Sequence, residues 1–174
     1  IVSGDFYWFH KLDESRALIV VADCTGHGVP GALMSIMGHN YLNDAVHQHG
    51  LEKPSQILEF LDAKICKTFS CGKTDFGGSE GMDLGLCLIN KAERTLVFSG
   101  ARRPLTIVNG SSSRSIRGTK RGIGENFLAS KFPFEDVSLE LKEDESYFLY
   151  SDGLQDQFGG EKSGKLLHKR LLSW

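Results

Sequence analysis

Only four of the 174 residues are cysteine, at positions 24, 66, 71 and 87, and no two form a C-x-x-C pair. That scatter excludes a disulfide scaffold and a zinc framework, and it favours a reducing, cytoplasmic setting. An excess of charge is also missing: 20 basic against 22 acidic residues leave a net charge of −2. Nothing therefore calls for a nucleic-acid partner. No apolar run approaches the roughly 18 residues that cross a bilayer, so no membrane contact is expected from this domain itself. No secretory leader is expected from the opening residues, and no internal repeat, Walker loop or dinucleotide fingerprint is visible in them or beyond. What remains is a chain long enough for one domain with a sizeable core. Residues 1–174 read as that domain. Because they open inside a strand-like run and close on a helical one, they read as a piece excised from a longer, multidomain signalling protein.

Hydrophobic periodicity supplies the elements. Residues 1–10 and 17–24 read as neighbouring strands joined by a polar turn. The second is apolar at every position from Ala17 to Ala22, which predicts burial on both faces. A helix is expected over 29–49, with Pro30 at its start, Gly50 at its stop, and an apolar stripe of Leu33, Ile36, Met37, Tyr41 and Ala45. A second helix is expected over 54–69, with Ile57, Leu58, Leu61, Ile65 and Phe69 facing the core. The glycine-rich segment 70–81 reads as a mobile loop. Strands follow near 82–89, 95–99, 105–108, 115–117, 137–141 and 146–150, and a last helix near 162–173. Segment 110–122 reads as a solvated excursion, with Arg114, Arg117, Lys120 and Arg121 in water. Strands grouped after helices mean an α+β fold with mostly antiparallel sheets.

Three aspartates stand at or near strand ends, where a carboxylate flanked by small residues can hold a hard divalent cation. They are Asp5 in Ser3-Gly4-Asp5-Phe6, Asp23 in Asp23-Cys24-Thr25-Gly26-His27-Gly28-Val29-Pro30-Gly31, and Asp152 in Ser151-Asp152-Gly153. At Asp23 the glycines permit a tight bend and close backbone approach, and a helix N-terminus follows. The plainer alternative makes Asp23 a helix cap. His27, between two glycines, is accessible either as a general acid or as a turn-fixing hydrogen-bonding group. Asp83 opens an apolar strand, where a buried charge needs a partner; it faces either the cation cluster or solvent. Asp156 reads as a second ligand or as a cap. Arg102 and Arg103 share a turn and suit either a phosphate or solvent.

In order along the chain, Ser3-Gly4-Asp5-Phe6-Tyr7, Asp23 through Ala32, Gly100-Ala101-Arg102-Arg103-Pro104-Leu105 and Ser151-Asp152-Gly153 resemble the SpoIIE and RsbU-like branch of the metal-dependent protein phosphatases (protein phosphatase type 2C, PPM superfamily). The resemblance implies an α-β-β-α sandwich of two sheets flanked by helices, with two Mn²⁺ or Mg²⁺ ions at one end of the strands. It implies that Asp23 bridges the ions, that Cys24 contributes its carbonyl, and that Asp152 and Asp5 complete the set. A bridging water or hydroxide would then attack a phosphoserine or phosphothreonine, in bacterial signal transduction. The implied partners are a phosphoprotein substrate such as an anti-sigma-factor antagonist and an N-terminal sensory or signalling domain, in some cases that of a membrane-bound sensor. Two family features have no counterpart here: an acidic pair on a last strand, and the arginine that eukaryotic relatives place near the first acidic motif. They keep open a second reading, a phosphatase-like signalling module that binds without turnover.

Overall fold

The computed structural model describes residues 3–69, 81–110, 112–125, 131–155, 158–159 and 164–165. Strands β1 (Phe6–Lys11) and β2 (Arg16–Cys24) lead into helix α1 (Val29–Asn43), which continues as a π-helical turn over Asp44–Gln48. Helix α2 (Pro54–Phe69) follows, then β3 (Met82–Asn90), β4 (Thr95–Ala101), β5 (Leu105–Asn109), β6 (Ser112–Ile116), β7 (Val137–Glu140) and β8 (Glu145–Phe148). A single-turn helix α3 (Asp152–Gln155) and two short strands, β9 (Phe158–Gly159) and β10 (Gly164–Lys165), complete the described elements. The larger sheet has the order β1-β2-β3-β4-β7 and the smaller the order β6-β5-β8, with every strand pair antiparallel.

One core lies between the helices and the larger sheet. Leu18, Val20, Ala22, Leu84 and Leu86 of the sheet meet Met34, Leu42, Ile57, Leu58, Leu61 and Ile65 of the helices. A second, smaller core joins the two sheets through Cys87, Leu96, Phe98, Leu105 and Ile107. The layers are thus helices, sheet, sheet. None of Cys24, Cys66 and Cys87 forms a disulfide. No helix among the described residues is long and apolar enough to cross a membrane.

Several expectations are corrected. Burial along β2 alternates: Leu18, Val20, Ala22 and Cys24 are buried, whereas Ile19 and Val21 are only partly so. The inter-sheet core draws on β3, β4 and β5, and the outer face of β1 and β2 is open, leaving Tyr7 80% and Phe9 59% exposed. The stripe of α1 is also different. Its buried positions are Gly31, Met34, Gly38 and Leu42; of the expected stripe Ala45 is buried and Met37 and Tyr41 pack against the core, while Leu33 and Ile36 are each 57% exposed. The helix seats its glycines where backbone must come close: a Cβ on Gly38 would lie 2.9 Å from the Met82 side chain and 3.0 Å from Phe6. The strand expected near 115–117 is β6, at Ser112–Ile116, and Arg121 in segment 110–122 is fully buried instead of solvated. Gly164 and Lys165 pair with β9 and are not helical. The rest of the expected last helix, and residues 70–80 of the loop expected over 70–81, fall outside the described residues.

Candidate active site

Antiparallel pairing brings the ends of β2 and β3 together, with Asp23 opposite Asp83 and Cys24 opposite Met82. Past Cys24 the chain turns at Gly26 (φ 90°) and Gly28 (φ 69°), conformations that cost a side chain strain. Asp5 is brought alongside by two close approaches. A Cβ on Gly4 would lie 3.0 Å from the Cys24 Cβ and 3.2 Å from its carbonyl oxygen; one on Gly31 would lie 2.7 Å from the Gly26 carbonyl. The Thr25 N–H donates to the Gly81 carbonyl at 2.9 Å and ties the turn to the start of β3.

Three of the predicted aspartates meet here. Ser151 Oγ donates to Asp5 Oδ2 at 2.6 Å. Arg103 Nη2 donates to Asp23 Oδ2 and, at 3.1 Å, to Asp152 Oδ2. Asp83 stands beside them, with its carboxylate 3.9 Å from Arg102, whose Nη2 donates to Glu125. Helix α1 has Gly28 at its cap position and no side-chain capping bond, so Asp23 is not a helix cap. His27 is exposed on the turn and makes no hydrogen bond among the described residues. Asp156 lies outside them. Arg103 thus engages carboxylates, and the sequence pattern gave no sign of that pairing, nor of the Ser151 and Glu125 contacts.

Electrostatics show what the cluster lacks. Burial raises the Asp23 carboxyl from 3.8 to about 7; Arg103 opposes the shift, and the Asp152 and Asp5 carboxylates add to it. Burial likewise raises Asp83, against the pull of Arg102 and Arg103. Arg102 and Arg103 do not balance Asp5, Asp23, Asp83 and Asp152, and the Arg103 Nε is buried without a hydrogen-bond partner. The donors are hard oxygens, and the space beside the Cys24 and Gly26 carbonyls exists because Gly4 and Gly31 carry no Cβ. The residues therefore fit a hard divalent cation by chemistry. Among the described residues no group of three or more His, Cys, Asp or Glu side chains is already gathered in ligating geometry. Burial pushes the Cys24 thiol up to about 12, so the thiol stays protonated at neutral pH.

A pH dependence follows for the metal-free chain. The Asp23 carboxyl of the folded state titrates near 7, above its unfolded 3.8, so folding takes up a proton between these values. That contribution is complete below about pH 4 and is lost as pH rises through about 7. In EDTA, the melting temperature is expected to fall by roughly 4 °C or more between pH 5 and pH 8. In Asp23→Asn the decline should be much smaller; an equal decline in that variant would assign the effect elsewhere.

Two antiparallel sheets packed face to face, helices over the larger one, and aspartates gathered at strand ends define a domain of the PP2C phosphatase type. The family model for Stage II sporulation protein E (SpoIIE) matches residues 13–173, and the chain belongs to that family. Phosphoserine phosphatase RsbP of Bacillus subtilis (strain 168) is 26% identical over 157 residues, covering 89% of this chain and 37% of RsbP. The SiaA-PP2C domain of Pseudomonas aeruginosa superposes with a TM-score of 0.83 at 30% identity, covering 98% of this chain and 64% of that one. The RsbU and RsbW domains of Rv1364c from Mycobacterium tuberculosis share the fold, with a TM-score of 0.71 at 20% identity over 93% of this chain and 42% of that one. The chain thus spans less than two thirds of the length of each of these relatives.

Proposed function

We propose that this chain is a Mn²⁺- or Mg²⁺-dependent protein serine/threonine phosphatase domain acting in bacterial signal transduction. The observation that carries this reading is the gathering of Asp23 and Asp152 on the Arg103 guanidinium, with Asp5 tied by Ser151 to the residue next to Asp152. Asp23, Asp152 and the Cys24 carbonyl are the proposed metal-binding groups, Asp5 is held toward them by Ser151, and Asp83 is an outer acidic neighbour. Bound divalent cations supply Lewis acidity toward phosphoryl oxygens and lower the pKa of water. Arg103, freed from the carboxylates, is placed to hold a phosphoryl oxygen through its fork geometry. Arg102, engaged by Glu125 beside Asp83, supports that loop. His27, exposed on its glycine turn, is the proposed proton donor to the departing serine or threonine oxygen. The proposed substrate is a phosphoprotein, with an anti-sigma-factor antagonist the first choice. The proposed setting is a longer, cytoplasmic signalling protein.

The relatives' names support this reading: RsbP is a phosphoserine phosphatase, and RsbX, 16% identical, was solved in complex with magnesium. The purified chain should hydrolyse p-nitrophenyl phosphate with Mn²⁺, lose that activity in EDTA, and regain it on adding metal. One observation favours a second reading, a binding module without turnover: Arg103 sits in the middle of the carboxylates. Mn²⁺ binding by calorimetry with no hydrolysis would establish that module instead.

A further inference from the structure

We propose that a basic groove beside the Arg102–Arg103 turn binds an acidic stretch flanking the phosphorylated residue of a protein substrate. The proposal rests on the phosphatase reading and deepens it.

Charge along the chain is segregated. Residues 95–124 contain no Asp or Glu, yet they hold Arg102, Arg103, Arg114, Arg117, Lys120 and Arg121. Four of these have carboxylate partners: Arg102 with Glu125, Arg103 with Asp23 and Asp152, Arg114 with Glu145, and Arg121 with Asp62 and Glu59. Arg117 and Lys120 have no ion-pair partner among the described residues, and both are exposed. Both line the same cavity of about 660 Å³, together with Arg102, Ser115 and Thr119. Two cations unpaired among the described residues share this cavity with Ser115 and Thr119, a combination suited to carboxylates.

The groove is rigidly joined to the acidic cluster. The Arg102 N–H donates to the Thr119 carbonyl at 2.9 Å, and the Thr119 N–H donates to the Gly100 carbonyl at 2.7 Å. Gly118 fits so tightly beneath the turn that a Cβ there would lie 2.6 Å from the Arg103 carbonyl. A ligand in the groove is therefore held in fixed relation to Arg103, which touches Asp23 and Asp152. The sign of charge changes over this short span, from Arg117 and Lys120 to the aspartates. On the phosphatase reading, divalent cations held by the aspartates would take one phosphate, and the groove would take carboxylates farther along the same peptide. A nucleic acid, whose phosphates could use both, is the competing occupant that the binding assay below separates.

Two assays with the full chain test this. Fluorescence anisotropy would follow a labelled, unphosphorylated peptide with six Asp and Glu residues, and a matched peptide carrying Asn and Gln. Arg117→Glu/Lys120→Glu is expected to weaken the acidic peptide about tenfold or more, because it reverses two contacting charges. Lys53→Glu/Lys67→Glu, an equal charge change at exposed positions on or near α2, is expected to change binding less than about twofold. Raising salt should weaken the wild-type complex. Equal binding by wild type and both variants would overturn the proposal. So would a single-stranded DNA 12-mer that binds as tightly and is lost in the same variant.

In the second assay, kcat/KM is compared for phosphoserine peptides with acidic and with neutral flanks. A preference for the acidic flank that resides in KM and collapses in the groove variant supports the subsite. Hydrolysis of both peptides at equal kcat/KM, with no acidic-peptide binding, would overturn the subsite and leave the phosphatase reading standing. Acidic-peptide binding lost in the groove variant, with no hydrolysis by metal-loaded wild type, would support the subsite and overturn the phosphatase reading.

Discussion

Asp62→Ala is expected to destabilise the domain by about 3–5 kcal/mol, read as a drop in the denaturant midpoint at unchanged slope. Asp62 and Arg121 are both 0% exposed and bonded to each other. The same carboxylate accepts from the Gly124 N–H at 2.7 Å. Removing it leaves an enclosed guanidinium with only Glu59, whose side chain is 43% exposed, and an orphaned backbone donor. The remaining contacts of Arg121, to the Phe132 carbonyl at 2.7 Å and against the Phe134 ring, cannot neutralise it. Replacing both residues, as Asp62→Leu with Arg121→Met, should cost less than the sum of the single changes, since no unpaired charge is then buried. If the single variants lay within about 1 kcal/mol of wild type, the pair would be structurally idle.

The second large effect concerns turnover. Asp23→Ala is expected to lower Mn²⁺-dependent hydrolysis of p-nitrophenyl phosphate by on the order of 10²–10³-fold or more, the scale of losing one preorganised electrostatic group at a reacting centre. Its carboxylate is 17% exposed, faces Asp83 across the ladder and lies nearest the Cys24 and Gly26 carbonyls in sequence. Asp152→Asn should cost less, because Asp152 is 57% exposed and sits on a single turn of helix. Asp5→Asn keeps the Ser151 hydrogen bond while losing charge, which separates holding from ligation. Wild-type activity in Asp23→Ala, with metal still bound, would remove the proposed centre.

Much of this was legible in the sequence. Helix α2 was read within its observed bounds because its apolar residues recur at helical spacing, and the antiparallel strands because their polar turns punctuate them. Helix α1 has the expected start, and Met37, Tyr41 and Ala45 of the expected stripe pack on the core, but Leu33 and Ile36 do not. Its packing side is built on Gly31 and Gly38, which a hydrophobicity pattern scores as blanks, and the π turn after Asn43 shifts the phase. Arg121 was misread because a serine- and arginine-rich stretch looks solvated, while its partners lie on α2, far away along the chain. The available signal was Asp62 itself. It sits four residues after Leu58 and three before Ile65 on a buried face, where a carboxylate requires a cation. Asp23 stands out by its strand-end turn, and Asp152 and Asp5 mainly by the family motifs, but the arginine that joins Asp23 to Asp152 does not, since register and loop closure place it.

The bond from Ser151 to Asp5 joins residues 146 apart. A nascent chain on the ribosome thus carries Asp5 and Asp23 long before Asp152 exists. Fragments released early, or clipped before Ser151, hold only part of the centre. On the proposed reading such fragments lack turnover, because the centre needs residues from both sides of this long span.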